Sequence, residues 1–486
     1  MIVTLYTTRV VLKSLGVEDY GIFNVVGGVV LILMSINVAM SGSSSRFTSY
    51  ALGQNDKELC ERTFSTIIYI HWILAGIILL VSETIGLWFV IEKLNIPEGR
   101  QMAAMVCYQS SVIVSLISIV CVPYNALIIG HERMAAYAYI SIIEVLLRLL
   151  VAFLLIYSSS DRLILYSLLL ICSSFIVFLC YKFYCRRNFS ESHYKYRMDR
   201  PLFRQIATFS GWVGYGHIAC AGYTHGINIL MNIFFGPAVN AARSVSVQVQ
   251  NGARILATNF NMAVRPQIVK NWVQGDIDYM HNLVIYSSKF SFFLTSLMVF
   301  PLLVSIKPIL EIWLVEVPDH TVAFIRIILY MSLLESFNNA LIESNHATGD
   351  VKKFQIWESI PLLLVLPVSY LFLHYYHISP EEVMMIYFFS QFVAQFVRIF
   401  IVLPQIHMSY KKYFLKVFPR VILVFFVLII PSMYVNVDSK ASVGFTLAVL
   451  LLSILVVLAT IYFVGLSKKE RDFVHSFVRE KFNKIR

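Results

Sequence analysis

The chain has 486 residues, of which 58% are hydrophobic and 14% are charged, and its mean hydropathy is +0.72. Soluble domains carry charge on roughly a quarter of their residues, so a soluble protein of this length could not bury so much apolar surface. The apolar residues come in blocks of about 18–25, which is the length of a membrane-spanning helix. We therefore predict an all-α polytopic membrane protein, because a β-barrel would show alternating apolar and polar residues.

The formal net charge of +11 follows the loops between the apolar blocks. A nucleic-acid-binding protein would gather its basic residues on one folded domain, so we expect no nucleic-acid partner. The seven cysteines form no CxxC pair and no Cys/His metal spacing, and most of them lie inside apolar blocks. We expect packing cysteines, and neither a metal site nor a cofactor.

Hydropathy predicts about 14 membrane spans. They are Met1–Leu15, Gly21–Met40, Thr63–Val90, Gln101–Ile128, Ala136–Tyr157, Leu163–Tyr184, Ala207–Phe235, Ala241–Val264, Leu283–Ile306, Val322–Ile342, Ile356–Leu373, Val383–Leu403, Val421–Tyr434 and Val443–Val464. The first span rises only about 22 Å as a helix, less than the ~30 Å hydrocarbon thickness. We expect a truncated first helix, with residues that belong before Met1 missing.

The distribution of basic residues predicts the topology. With the N-terminus in the cytoplasm, Lys and Arg favour the inside loops and the tail by about four to one, as the positive-inside rule requires. The even number of spans then leaves both termini cytoplasmic. The basic tail after Ser467 places Phe473, Phe477 and Val478 on one side of a helix. It is either an interfacial anchor or a frayed basic tail.

The eighth span is too polar for an ordinary membrane helix. Its residues between Asn240 and Arg265 place polar side chains on one narrow stripe at 100° per residue. The stripe rises about 33 Å, close to the hydrocarbon thickness, and holds one arginine near its middle. The polar stripe predicts the lining of a water-filled cavity for an anionic substrate. Its members are Arg243, Gln250, Arg254, Thr258, Asn261 and Arg265.

Short matches recur between the two halves of the chain. The sequence NALI occurs at Asn125 and again at Asn339, 214 residues later, and Glu144 matches Glu358 at the same offset. Earlier in each half the offset is about 220, and it pairs Gly16, Gln54 and Asp56 with Gly236, Gln274 and Asp276. An even number of spans separates the matches, which predicts a parallel repeat with a substrate site between the lobes. The predicted lobes are 1–205 (spans 1–6) and 206–407 (spans 7–12), and 408–486 adds spans 13 and 14 and the tail.

Four stretches carry a resemblance to a known family. They are Thr8–Gly21, the loop Arg46–Asp56, Val122–Ile128, and Phe234–Ala242 running into Arg265–Ile268. In these stretches the chain resembles the polysaccharide flippases of the multidrug/oligosaccharidyl-lipid/polysaccharide exporter superfamily, which translocate O-antigen and capsule repeat units. The resemblance covers almost the whole chain and departs from the family at the short first span.

The resemblance implies a substrate and a location. The substrate is an oligosaccharide repeat unit on a polyprenyl diphosphate, moved by alternating access from the cytoplasmic to the periplasmic leaflet of a bacterial inner membrane. It implies a polysaccharide polymerase and glycosyltransferases as partners, besides the lipid bilayer. A doubly anionic head group needs cations, and arginine offers phosphate forked hydrogen bonds.

Each basic residue inside a predicted span is a functional candidate by default. Arg254 has no acidic neighbour in its own helix, so we favour a cavity position over a structural pair with Glu335 or Glu144. Arg148 and Glu144 stand at i, i+4 and are either a structural pair or part of the site. The remaining predicted substrate-binding residues are Arg243, Arg265, Gln250, Arg398, Arg9 and Arg46.

Three further charges have ordinary explanations beside the functional ones. We expect Lys289 and Arg326 to extend towards the membrane interface. Glu335 and Glu144 are candidates for ion coupling. For Glu335 the alternative is a counter-charge to an arginine, and we favour that alternative.

Two other functions stay open. The first is a multidrug antiporter of the same superfamily, for which an acidic or aromatic cavity would be expected rather than this basic stripe. The second is a polysaccharide-assembly membrane enzyme, which the lack of a large periplasmic loop and of a Walker A or Ser/His/Asp pattern disfavours. We predict a transporter and not an enzyme.

Overall fold

We describe the fold from a computed structural model. It describes residues 40–92, 96, 99–157, 161–193, 199–314, 317–434 and 442–472, with scattered positions before residue 40. Most of the first two predicted spans, Arg9, and the predicted amphipathic residues Phe473, Phe477 and Val478 therefore lie outside the described residues. The described part of the chain is helical and contains no strand.

Fourteen helices make up most of the described chain, besides a 3₁₀ turn at Ser190–Ser192 and a helical segment that starts at residue 468. They are α1 (40–53), α2 (Lys57–Glu92), α3 (Gln101–Gly130), α4 (Met134–Tyr157), α5 (Arg162–Asn188), α6 (Arg200–Phe235), α7 (Pro237–Gln274), α8 (Ile277–Trp313), α9 (Thr321–Glu335), α10 (Asn338–Thr348), α11 (Lys352–Tyr376), α12 (Pro380–Gln405), α13 (Tyr410–Tyr434) and α14 (Val443–Gly465). Two of them contain a π-helical turn, Ser82–Gly86 in α2 and Ile461–Gly465 in α14.

The predicted spans from the third onwards coincide with these helices. Eleven candidate membrane spans are found by length and hydropathy among the described residues, with α9 and α10 together forming one. The polar helix α7 is not among the eleven, although its 38 residues would rise about 57 Å. Several helices extend past the predicted ends because polar caps such as Asp56 and Asp276 start them early.

The chain divides into two compact units, Met1–His217 and Ile218–Arg486. In the first unit α3 packs against α2, α4 and α5. In the second, α7 packs against α8, α9 and α10, while α11 packs against α12. The predicted lobe boundaries, and the separate status of residues 408–486, stay predictions.

A partly exposed charge cluster ties three segments of the first unit together. Arg100 Nε donates to Asp19 Oδ1 at 2.8 Å, and Arg100 Nη1 lies 2.5 Å from Asp161 Oδ2. Asp161 also caps the start of α5 by accepting hydrogen bonds from the backbone of Leu163 and Ile164. The hydrogen bond from Arg100 lowers the pKa of the Asp161 carboxyl, so this cap stays charged at neutral pH.

Matched positions of the predicted repeat share their local geometry. Gly16 and Gly236 both have positive φ, +82° and +83°. Asn55 and Gly275 both adopt positive φ in the turn before a helix, at 53° and 78°. Each turn is followed by an aspartate whose side chain caps that helix, Asp56 for α2 and Asp276 for α8. The same helix–turn–capped-helix unit thus occurs at the two places that the sequence matches pair.

The predicted tenth span is not one regular helix. Its hydrogen-bond pattern breaks at Ser336 and Phe337, between α9 and α10, although both residues keep right-handed helical backbone angles. The Ser336 hydroxyl donates to the Leu333 carbonyl at 2.6 Å, and the Ser336 backbone N–H donates to the same carbonyl. Serine bonded to the preceding turn in this way competes with the regular helix pattern, and hydropathy is blind to such a break.

The π-helical turn in α2 generates a test of packing in the first unit. The Tyr108 hydroxyl donates to the Ser82 carbonyl at 2.6 Å, and a Cβ added to Gly86 would overlap that hydroxyl. We expect Gly86→Ala to lower the free energy of unfolding by about 1–3 kcal/mol through overpacking. The measurement is the thermal transition of the purified protein in detergent.

Gly76→Ala in the same helix is the matched control, since no atom lies within 4 Å of the added Cβ. In a Tyr108→Phe background the cost of Gly86→Ala should shrink, because the overlapping hydroxyl is gone. An equal cost in both backgrounds would contradict this account of the turn.

Candidate functional site

The polar helix α7 supplies the central residues of the candidate site. It starts after Gly236 and ends at Gly275, and both glycines have the positive φ that favours this residue. Between them the helix is uninterrupted, even at Pro266. It packs against α8, α9 and α10.

The central contact of the site is an ion pair between α7 and the end of α9. Arg254 Nη1 lies 2.9 Å from Glu335 Oε2, and Gln250 Nε2 donates to the same oxygen at 3.2 Å. The Glu335 side chain is 7% exposed and the Arg254 side chain 37% exposed. The carboxylate is therefore buried, whereas more than a third of the Arg254 side chain stays exposed.

The helix break places Glu335 and its neighbours. Glu335 is the last residue of α9, and Asn338 is the first of α10. Arg398 Nη1 in α12 donates to Asn338 Oδ1 at 3.1 Å. Polar side chains from α7 and α12 therefore hold the two sides of the break.

Arg398 is buried and donates hydrogen bonds through Nε and Nη1. Its side chain is 4% exposed, and its Nε lies 2.6 Å from Glu358 Oε1 in α11. Its Nη1 also approaches Gln395 Oε1 at 3.4 Å. The predicted cavity-lining arginine thus links α11, α12 and the start of α10 in this conformation.

The two outer arginines of the α7 stripe differ in their surroundings. Arg243 is 2% exposed and donates to Asn228 Oδ1 and, at 3.3 Å, to the Thr224 carbonyl in α6. Arg265 pairs with Glu343 of α10, whose side chain is 7% exposed. Together with Arg254 and Glu335, this second pair joins α7 to both halves of the broken helix.

Sequence reasoning missed a hydroxyl and amide cluster in the same unit. Gln391 Nε2 lies 3.4 Å from the hydroxyls of both Tyr223 and Tyr387, and the two rings are 5.7 Å apart. All three side chains are buried. A glutamine inside an apolar span is a visible signal, but the tyrosines look like ordinary core residues until the fold brings them together.

The remaining predicted residues with described side chains lie in the first unit. Arg148 Nη2 is 2.6 Å from Glu144 Oε1, an i, i+4 pair whose side chains are 58% and 37% exposed. Arg46 is buried, and its guanidinium lies 4.4–5.2 Å from the ring centroids of Phe47, Phe209 and Tyr50. The structure therefore groups Arg243, Gln250, Arg254, Arg265, Arg398 and Glu335 in the second unit, apart from Arg148, Glu144 and Arg46.

Lys289 does not extend to solvent as predicted. Its side chain is 4% exposed and pairs with Glu470, beyond the last span. Arg420 Nη1 lies 3.6 Å from the same carboxylate. Burial of the Lys289 ammonium without a partner would be costly in free energy. The Glu470 carboxylate replaces the water that a lysine at the membrane interface would contact. Arg326 is partly buried in α9.

The arrangement in the second unit consists of paired charged and polar groups, in which the side chains of Arg254 and Arg265 stay 37% and 30% exposed. No group of three or more metal-ligating side chains occurs in the described part of the chain. The site can bind and orient a polar ligand through Arg254, and it holds a carboxylate at a helix break beside that cation.

Comparison with known proteins identifies the fold. Neither a protein-family model nor a curated protein matches the sequence. Solved structures do match. An outward-facing multidrug resistance MATE family transporter of the MOP superfamily aligns with a TM-score of 0.72 at 13% identity, over 84% of this chain and 92% of the other.

Two further transporters align in the same way. The Vibrio cholerae MATE transporter VcmN in its bent form has a TM-score of 0.67 at 13% identity, over 86% of this chain and 100% of the other. A Pyrococcus furiosus MOP superfamily transporter, whose binding pocket is described as having reverse polarity, has a TM-score of 0.65 at 13% identity, with 93% of it covered. The chain therefore has the fold of the MATE transporters.

The buried arginine pairs generate a stability test. We expect Arg398→Met to lower the free energy of unfolding by about 3–5 kcal/mol, because it leaves Glu358 uncompensated in a buried position. Arg148→Met is the matched control. It breaks an exposed pair on one helix and should cost at most about 1 kcal/mol.

The measurement is the thermal transition of both variants in one detergent. The double variant Arg398→Met/Glu358→Gln should recover part of the loss, since it leaves no unpaired charge. Equal effects of Arg398→Met and Arg148→Met would rule out a buried structural role for Arg398.

Proposed function

We propose that the chain is a transporter that flips polyprenyl-diphosphate-linked oligosaccharide repeat units by alternating access. It acts in the bacterial inner membrane with both termini in the cytoplasm, and moves the repeat unit to the periplasmic leaflet. Glycosyltransferases supply this substrate and a polysaccharide polymerase consumes the product. The MATE transporter fold supports the transport step, and the residues of α7 support the choice of cargo.

The observation that carries this proposal is the accessible guanidinium of Arg254. It lies in the middle of α7, about 16 Å along the helix from both Arg243 and Arg265. An arginine at membrane depth is costly, so a partly exposed one indicates a water-filled space on its open side. A diphosphate fits that space because guanidinium donates two parallel hydrogen bonds to phosphate oxygens.

Glu335 and Gln250 orient Arg254 for this role. A guanidinium has five N–H donors, and Glu335 engages Nη1 at 2.9 Å. The other donors stay available to a ligand on the exposed side. The buried carboxylate fixes the plane of the guanidinium, so that little side-chain freedom is lost when phosphate binds.

A second function, export of organic cations, is also supported by specific observations. Two of the structural neighbours are described as MATE transporters, one of them as a multidrug resistance transporter. Glu335 and the aromatic pair Tyr223 and Tyr387 are groups that attract cations. The reverse-polarity pocket described for the Pyrococcus furiosus protein indicates that this fold does not determine the cargo. A polysaccharide-assembly enzyme has no such supporting observation in the structure.

Replacement of Arg254 tests the proposed cargo. In a strain that lacks its own repeat-unit flippase and depends on this chain, Arg254→Ala should abolish surface polysaccharide, because the diphosphate loses its cation. Arg254→Lys should be intermediate, since the charge survives but the forked donor geometry is lost. The readout is the amount of polysaccharide on the cell surface, with membrane protein levels measured in parallel.

Arg148→Ala is the matched control, because its arginine is also paired with a glutamate but stands on an exposed helix face. It should keep surface polysaccharide at the wild-type level. Full polysaccharide in the Arg254→Ala strain would overturn the proposed role of this arginine.

The same variants separate the two functions. A multidrug exporter should protect cells from toxic organic cations, and this protection should survive Arg254→Ala but be lost with Glu335→Gln. A flippase should give no protection in either form. Protection that depends on Glu335 alone would favour the multidrug function.

A further inference from the structure

A groove of about 470 Å³ runs between α11 and α12, away from the α7 stripe. Its volume lies in the range of small-molecule sites. None of the predicted substrate-binding residues and none of the ion-paired residues lines this groove. Its lining comes from the start of α11 and the end of α12, namely Asp350, Lys353, Trp357, Val397, Phe400, Ile401, Pro404 and Gln405.

The lining changes from polar to apolar along the two helices. Asp350 lies just before α11, Lys353 stands in its first turn, and Trp357 lies one turn further along. On the antiparallel helix α12, Gln405 is the last residue, whereas Phe400 and Val397 lie deeper in the span. The groove therefore has a charged mouth at the membrane edge and an apolar interior, which is the polarity of a lipid.

The mouth holds two charges of opposite sign without partners. The side chains of Lys353 and Asp350 are both exposed. No ion pair within 4.0 Å joins either side chain to another group in the described chain, and the two do not pair with each other. A ligand that carries both an anion and a cation complements this mouth.

Hydrogen bonds hold the backbone at the mouth of the groove in place. Asn345 Nδ2 donates to the Asp350 carbonyl at 3.0 Å and to Gln405 Oε1 at 2.7 Å. Gln405 Nε2 returns a hydrogen bond to the same Asp350 carbonyl at 3.1 Å. The backbone beneath the two charges is therefore held in place before any ligand binds, which lowers the entropic cost of binding.

The apolar interior is open to the surroundings of the helix pair. Trp357 and Phe400 are each 56% exposed. Tyr410 packs against Phe400, and their ring centroids are 5.5 Å apart. The Tyr410 hydroxyl also donates to the Phe400 carbonyl at 3.2 Å. Tryptophan near the end of a span prefers the level of the lipid head groups. The interior thus offers an aromatic surface for one hydrocarbon chain.

We propose that this groove is a binding site for a zwitterionic phospholipid with a phosphoethanolamine head group. The Lys353 ammonium binds the phosphate, the Asp350 carboxylate binds the ligand's ammonium, and one acyl chain lies along Trp357 and Phe400. This site is independent of the transported cargo and of the α7 stripe. An anionic lipid would leave Asp350 facing a negative head group, so the mouth selects against it.

Native mass spectrometry of the purified full chain tests the proposal. The protein is released from detergent with equal amounts of phosphatidylethanolamine and phosphatidylglycerol, and the bound lipids are counted. The wild type should retain the ethanolamine lipid several-fold more than the glycerol lipid. Lys353→Gln should lose most binding of both, because the phosphate partner is removed.

Asp350→Asn is the decisive variant. It keeps the shape of the mouth but removes the negative charge, so the preference should shift towards phosphatidylglycerol by several-fold. A purely structural role for Asp350 would not change which head group is retained. Trp357→Ala should weaken binding of both lipids without changing their ratio.

Lys352→Gln is the matched control, because Lys352 is adjacent in sequence but does not line the groove. It should leave both lipids bound as in the wild type. The proposal is overturned if the wild type shows no head-group preference, if Asp350→Asn leaves the ratio unchanged, or if Lys352→Gln acts like Lys353→Gln. Thermal transitions of all four variants establish that each is folded.

Discussion

The ion pair between Arg254 and Glu335 is the contact on which the arrangement of the second unit depends. Each charge alone would be costly at membrane depth, and the pair with its added hydrogen bond from Gln250 removes most of that cost. Glu335 ends α9, so the same contact ties the polar helix α7 to a break in a membrane helix. Loss of Arg254 would leave the Glu335 carboxylate buried and uncompensated.

Two further buried pairs extend this arrangement in both directions. Arg265 joins α7 to α10 through Glu343, and Arg398 links α11 and α12 to Asn338 at the break. The broken helix is thus held by polar contacts rather than by apolar packing alone.

The sequence predicted the spans and the polar helix, because hydropathy and helical periodicity are local properties. It favoured a cavity position for Arg254 over a pair with Glu335 or Glu144, whereas the structure shows the pair with Glu335. It did not predict the break after Glu335, which depends on a serine hydrogen bond, nor the contact of Arg398 with Glu358 forty residues away. Such pairings depend on how the helices pack, and this packing cannot be inferred from a single sequence. It did not predict the burial of Lys289 for the same reason, since its partner Glu470 lies far along the chain.

Binding of a polyprenyl diphosphate to the purified chain tests the central claim most directly. Binding is compared with that of the uncharged polyprenyl alcohol of the same length, for the wild type and for Arg254→Ala. We expect the wild type to bind the diphosphate at least tenfold more tightly than the alcohol, and Arg254→Ala to lose that difference while still binding the alcohol. Equal binding of the two lipids by the wild type, or an unchanged preference in Arg254→Ala, would contradict the account.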